Sequence, residues 1–203
     1  MAKDFIKEGH QMTDEISFFE RQTLSLVQLE KELYQLYSRI SKKVDDLAAK
    51  TLFSYLANDS LKHSRILAIM IGEFNVSKVR EQDCDQNILY TRRLLRSHTN
   101  DLKKRGNISL DELEPLIDAF LGIENLLFTE YKKAFHLEYT NFDARELKNN
   151  ADINIFNLIV DDEDRHQKIL STILTLNDNK MSYKGNSPVV KYQNPDSWYT
   201  TPR

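Results

Sequence analysis

The sequence predicts an all-α protein built as a four-helix bundle, and three observations carry that prediction. Apolar residues recur at alternating intervals of three and four through four long segments, the spacing of a helix seam that faces its neighbours. Only five Gly and four Pro punctuate 203 residues rich in Leu, Ile, Glu and Lys, a composition that favours helix. The second half of the chain also repeats the first, segment for segment.

In the first segment the seam runs Ile16, Phe19, Thr23, Leu26, Glu30, Leu33, Tyr37 and Ile40, which places a helix at roughly 13–43. Thr13 can cap it, with Asp14 and Glu15 in its positive first turn. Asp45 and Asp46 interrupt the run and can cap the second helix, at roughly 46–75. Its seam is Ala49, Phe53, Leu56, Ser60, His63, Leu67, Met70 and Phe74, and Asn75 lies where it should end. The long connection that follows must cross the bundle's length. Ile88, Leu89, Leu95 and Leu102 give it an extra helix near 82–104, ending at Gly106.

Leu113, Ile117, Phe120, Glu124, Leu127, Tyr131 and Ala134 form the third seam, at roughly 111–139, with Pro115 expected in its first turn or at a kink. Asn149, Asn150 and Asp152 break the chain before the fourth helix, at roughly 152–177, whose seam is Phe156, Ile159, Glu163, His166, Leu170 and Ile173. The bundle domain is therefore expected over 1–177. Residues 178–203 change character, becoming polar and aromatic, with Pro188, Pro195 and Pro202. This tail is read as extended, lying on the bundle or on a neighbouring subunit with Trp198 and Tyr199 as anchors, or else as disordered.

Net charge is −3 with the signs mixed, so no basic stripe points to nucleic acid, and no apolar run approaches the roughly 20 residues that span a bilayer. The first residues lack the apolar core of a signal peptide, and a cytoplasmic protein is expected. Cys84 stands alone, which leaves no internal disulfide and no Cys-x-x-Cys metal knuckle.

The repeat concentrates the chemistry. Glu30 precedes Tyr37 by seven residues, as Glu124 precedes Tyr131. Asp59-Ser60-Leu61-Lys62-His63 matches Asp162-Glu163-Asp164-Arg165-His166, and His-x-x-Ile-Leu follows in both copies. Seam positions should be apolar, yet Glu30, His63, Glu124, Glu163 and His166 occupy them. Buried ionisable groups of this kind must be neutralised, paired or bound to metal. Counted from the hairpin turns, antiparallel pairing would bring all five into one layer. Two His with several carboxylates are the ligand set of a dinuclear iron or manganese site. Each His would hold one ion, Glu30 and Glu124 would be terminal ligands, and Glu163 would bridge. Tyr37 and Tyr131 lie two turns away on the same faces and can hydrogen-bond the carboxylates of the opposite hairpin. Two His and a Glu can equally hold a structural zinc ion. Asp161, Asp162 and Asp164 read as a solvated face, apart from what Asp162 does beside the site; His10, His98 and His136 lack seam partners and read as solvated.

In these residues the chain resembles the ferritin-like superfamily, and within it the rubrerythrin-type diiron proteins. The match covers 13–177, through the Glu-x6-Tyr helices, the Glu163-x-x-His166 motif and the long crossover. Carried over position by position, Glu30, His63, Glu124, Glu163 and His166 fall on ligand positions of that family. The sixth position, a bridging Glu in the family, is Ser60, for which Asp59 is a weak substitute. The rubredoxin-like domain that usually accompanies rubrerythrins would need two Cys pairs and is lacking, and Leu121 and Leu127 leave the family's second Glu on the third helix without a counterpart. The resemblance implies redox chemistry on O₂ or peroxide at a metal pair, of oxidase, peroxidase or ferroxidase type, in a homodimer. The alternative is a degenerate, non-catalytic bundle serving as a binding or assembly module.

Overall fold

Where the seams were read, the chain forms helices. The computed structural model describes residues 18–72, 86–141 and 150–183. They form α1 (Phe18–Lys43), α2 (Leu47–Met70), α3 (Gln86–Lys104), α4 (Leu110–Asn141) and α5 (Asn150–Tyr183). Among the described residues there is no strand. A single parallel bridge between Val44 and Ile108 ties the α1–α2 turn to the segment before α4, through Ile108 N–H donating to Lys43 O (2.9 Å) and Asp45 N–H to Ile108 O (3.2 Å).

Local chemistry explains the helix ends. Asp46 caps α2, its Oδ1 accepting from Ala49 N–H at 3.0 Å, as the sequence suggested. At its other end α2 stops at Met70, earlier than the expected Asn75. Gly72 takes a φ of 73°, the left-handed conformation that closes helices, and its N–H donates to Ile69 O. Ser109 and Glu112 form a reciprocal capping box at the start of α4, which the sequence reading passed over. Because α4 begins at Leu110, Pro115 lies beyond the first turn, on an exposed face, and leaves the Asp111 carbonyl without its helical donor. α5 continues past the expected end at Asn177 to Tyr183, since no Gly or Pro occurs until Gly185. The proposed cap Thr13, the positions Phe74 and Asn75, and the anchors Trp198 and Tyr199 lie outside the described residues.

α1 with α2, and α4 with α5, form two helical hairpins whose seams face each other, with α3 laid against α1. Leu24, Leu33, Leu36, Ile40, Phe53, Leu56, Leu113, Phe120, Phe156 and Leu170 fill the interior above and below the middle layer. α3 contributes Ile88, Leu95 and Leu102 to this core, and Arg92 and Arg96 both reach Glu32 of α1. His98 is half-buried and packs edge-on against Phe120, ring centroids 6.4 Å apart. No described helix is long and apolar enough to cross a membrane.

Removing the cap of α2 isolates one local contribution. Asp46→Ala leaves the Ala49 N–H without its side-chain partner and should lower unfolding free energy by about 1 kcal/mol. The check is a downward shift of the urea midpoint with an unchanged m-value.

Candidate metal centre

Halfway along the two hairpins the apolar packing gives way to an ionisable layer. Glu30 comes from α1, His63 from α2, Glu124 from α4, and Glu163 and His166 from α5; none has measurable exposure. Each helix supplies its residue because a three-four seam keeps the position inward regardless of residue type. The layer divides into two groups, Glu30 with His63 and Glu163, and Glu124 with Glu163 and His166, each offering donor atoms within 4.8 Å of one another. Glu163 belongs to both.

Distances follow an approximate two-fold symmetry. His63 Nδ1 lies 3.3 Å from Glu30 Oε1 and 3.1 Å from Glu163 Oε1. His166 Nδ1 lies 3.4 Å from Glu124 Oε2 and 3.6 Å from Glu163 Oε2. The imidazoles stack with centroids 5.6 Å apart. Tyr37 donates to Glu124, and Tyr131 donates to Glu30 at 2.5 Å, each hydroxyl crossing from one hairpin to the other.

Outside the imidazoles stands a second layer that the sequence reading largely missed. His63 Nε2 is 3.1 Å from Asp162 Oδ2, and His166 Nε2 is 3.3 Å from Asp59 Oδ2. Asp59 is therefore no substitute for the missing carboxylate at position 60; it faces the far nitrogen of His166 and orients that ring. Lys62 bridges the two aspartates, at 2.8 Å to Asp59 and 2.7 Å to Asp162, while Arg165 pairs with Asp162 and Tyr55. The signal was present in the repeat: an Asp stands four residues before the His in both copies, and each Asp bonds the His of the other copy.

Burial and pairing set the protonation states. Burial alone would lower both imidazoles, but the carboxylates of Asp162, Glu163 and Glu30 beside its ring overcome it and raise His63 to about 11. His166 is likewise raised against burial by Asp59, Glu124 and Glu163. Burial, reinforced by the charges of Glu30 and Glu124, raises Glu163 to about 8. Glu124, despite burial, is lowered by the hydrogen bond and charge of His166. His63 and Lys62 hold Asp162 well below the usual carboxylate range; at Asp59, His166 and Lys62 do so against burial. Burial and the Glu124 and Glu30 carboxylates push Tyr37 and Tyr131 up, keeping them as hydroxyl donors.

This donor set fits metal ions. Donors about 2.1 Å from one ion and at right angles to each other stand about 3 Å apart, close to the His Nδ1–carboxylate separations here. Both Glu163 oxygens, Glu30 Oε2 and Ser60 Oγ are buried without a hydrogen-bond partner. Such atoms are costly to leave unpaired, and an ion would satisfy the carboxylates. Each Nδ1 points into the layer while an aspartate fixes the opposite nitrogen, the usual arrangement around a metal-bound imidazole.

The metal-free protein should lose stability as pH rises. The histidines are raised above their ordinary 6.5, so their contribution is complete below that value and is lost towards the folded values. Glu163 is raised from 4.5 to about 8, so the native state holds a proton that the unfolded chain has released, with the same sign of effect. Thermal unfolding of chelator-treated protein should therefore show Tm falling steadily from pH 5 to pH 9.

Comparison with known proteins yields no match: no family model, no curated protein and no solved structure matches this chain.

Proposed function

We propose that this protein binds a pair of metal ions, iron or manganese, in the middle layer of its bundle, and works as a non-haem redox protein on O₂ or peroxide. One observation carries the reading: Glu163 is fully buried between the Nδ1 atoms of two histidines, 3.1 and 3.6 Å from its oxygens, with neither contact in hydrogen-bond geometry. A purely structural carboxylate in that position would be destabilising. Glu30 with His63, and Glu124 with His166, would each hold one ion, and Glu163 would bridge them. Bound iron would supply one-electron chemistry and open coordination positions for an oxygen ligand. The chain's own residues would orient and insulate that chemistry. Asp59 and Asp162 hold the imidazoles in one tautomer, Tyr37 and Tyr131 fix the terminal carboxylates, and the rings of Phe53 and Phe120 beside Tyr37 exclude water.

A second reading has its own observation. The imidazoles are already paired on both nitrogens by carboxylates, so the layer holds together without ions, as a non-catalytic assembly module would require. The two readings separate at Glu163. Glu163→Met removes the buried carboxyl at similar volume and, because the surroundings of Glu163 disfavour its charged form, should stabilise the metal-free protein relative to wild type at pH 9, read as a higher Tm. If the site takes metal, the same substitution should also abolish binding of the second ion, measured by metal analysis after anaerobic Fe(II) loading. Wild-type protein that retains well under one ion per chain after such loading rules out the metal reading.

Loading should also release protons. At pH 7 two leave the histidine Nδ1 atoms and one leaves Glu163, about three per metal pair. Calorimetric titration in buffers of different ionisation enthalpy measures this number directly.

A further inference from the structure

The two halves of the layer differ in kind at one position. Ser60 stands three residues before His63, as Glu163 stands three before His166, and is 1% exposed. Its Oγ is buried with no hydrogen-bond partner, on the helix face that carries His63 into the layer. Replacing Glu by Ser exchanges a CH₂–COO⁻ group for a hydroxyl. The lost volume is that of an acetate or formate ion, and the lost group is a carboxylate.

Charge points the same way. Two divalent ions would carry four positive charges, and Glu30, Glu124 and Glu163 would neutralise three. One monoanion completes the balance. Lys62 and Arg165 pair with Asp59 and Asp162, which contact the histidines, so the charges outside the imidazoles offset one another and leave this balance to the inner layer.

We infer that Ser60 marks a binding site for a small monocarboxylate of formate or acetate size, which would stand in for the carboxylate that Glu163 supplies in the other half and accept a hydrogen bond from Ser60 Oγ. The inference rests on the metal reading above and names the class of external ligand that its site takes. The ligand would supply a negative charge and oxygen donors to the metal pair, and the protein supplies the buried hydroxyl.

Cobalt(II) is a suitable probe because its visible bands report its coordination. Metal-free full-length protein is titrated with Co(II) alone and with millimolar formate, acetate or octanoate, for wild type, Ser60→Ala and Ser60→Glu. Formate should tighten Co(II) binding in wild type on the order of tenfold and shift the cobalt bands. Ser60→Ala keeps the space but loses the hydroxyl, so the response should persist in weakened form. Ser60→Glu should bind Co(II) more tightly without formate and lose the response. A gain limited to formate and acetate identifies a free small acid. An equal gain with octanoate identifies the carboxylate end of a longer molecule in the same site.

Normal Co(II) uptake with no carboxylate response in wild type or Ser60→Ala overturns the inference and leaves the metal reading standing. So does a response that Ser60→Glu retains in full. Failure of wild-type protein to take up Co(II) under any of these conditions overturns both.

Discussion

Burying ionisable side chains in a helix seam is costly unless each finds a partner, and here four of the partnerships cross from one hairpin to the other. Tyr37 of α1 serves Glu124 of α4, and Tyr131 of α4 serves Glu30 of α1. His63 of α2 meets Asp162 of α5, and His166 of α5 meets Asp59 of α2. The leucines and phenylalanines above and below this layer supply most of the association energy but tolerate more than one alignment. Sliding one hairpin along the other by a turn would strand all four cross-connections in an apolar interior. The polar layer therefore sets the register in which the apolar seams close.

The same layer behaves as a set of paired positions that protons or metal ions can occupy. Without ions, the charged imidazoles donate inward to Glu30 and Glu124 and outward to the aspartates, while Glu163 carries a proton of its own. Ions entering the layer would displace the inward protons and leave the outward N–H groups in place. The outer aspartates stay ionised in either state, held low by His63, His166 and Lys62. The frame that aims the ligands thus remains fixed while the charge inside changes, which is the condition for a site to load without repacking its core.

Periodicity made the fold legible and also exposed the layer, because Glu30, His63, Glu124, Glu163 and His166 break an otherwise apolar rhythm. What it hid was anything one position off the seam. Asp59 and Asp162 sit at the seam's edge, where an acidic residue looks like a solvated face; only the duplicated Asp-x-x-x-His spacing marks them. Helix ends were missed for local reasons. Gly72 closes α2 before Asn75 is reached, and the Ser109–Glu112 box starts α4 early enough to carry Pro115 past the first turn. His98 lacked a partner in its own periodic pattern because its partner, Phe120, belongs to another helix.

Two departures from the internal symmetry of the polar layers, at positions 60 and 62, lie close together in α2, and their placement limits what they change. Position 62 is Lys where position 165 is Arg, yet both side chains serve the outer layer, and Lys62 spans both aspartates. Position 60 is Ser where position 163 is Glu, and Ser60 makes no bond that holds a helix or a ring. The aspartates, the tyrosines and the imidazoles they orient are all retained. Ser60 therefore leaves the surrounding scaffold as it is, and the two halves of the layer differ there by one carboxylate and its negative charge.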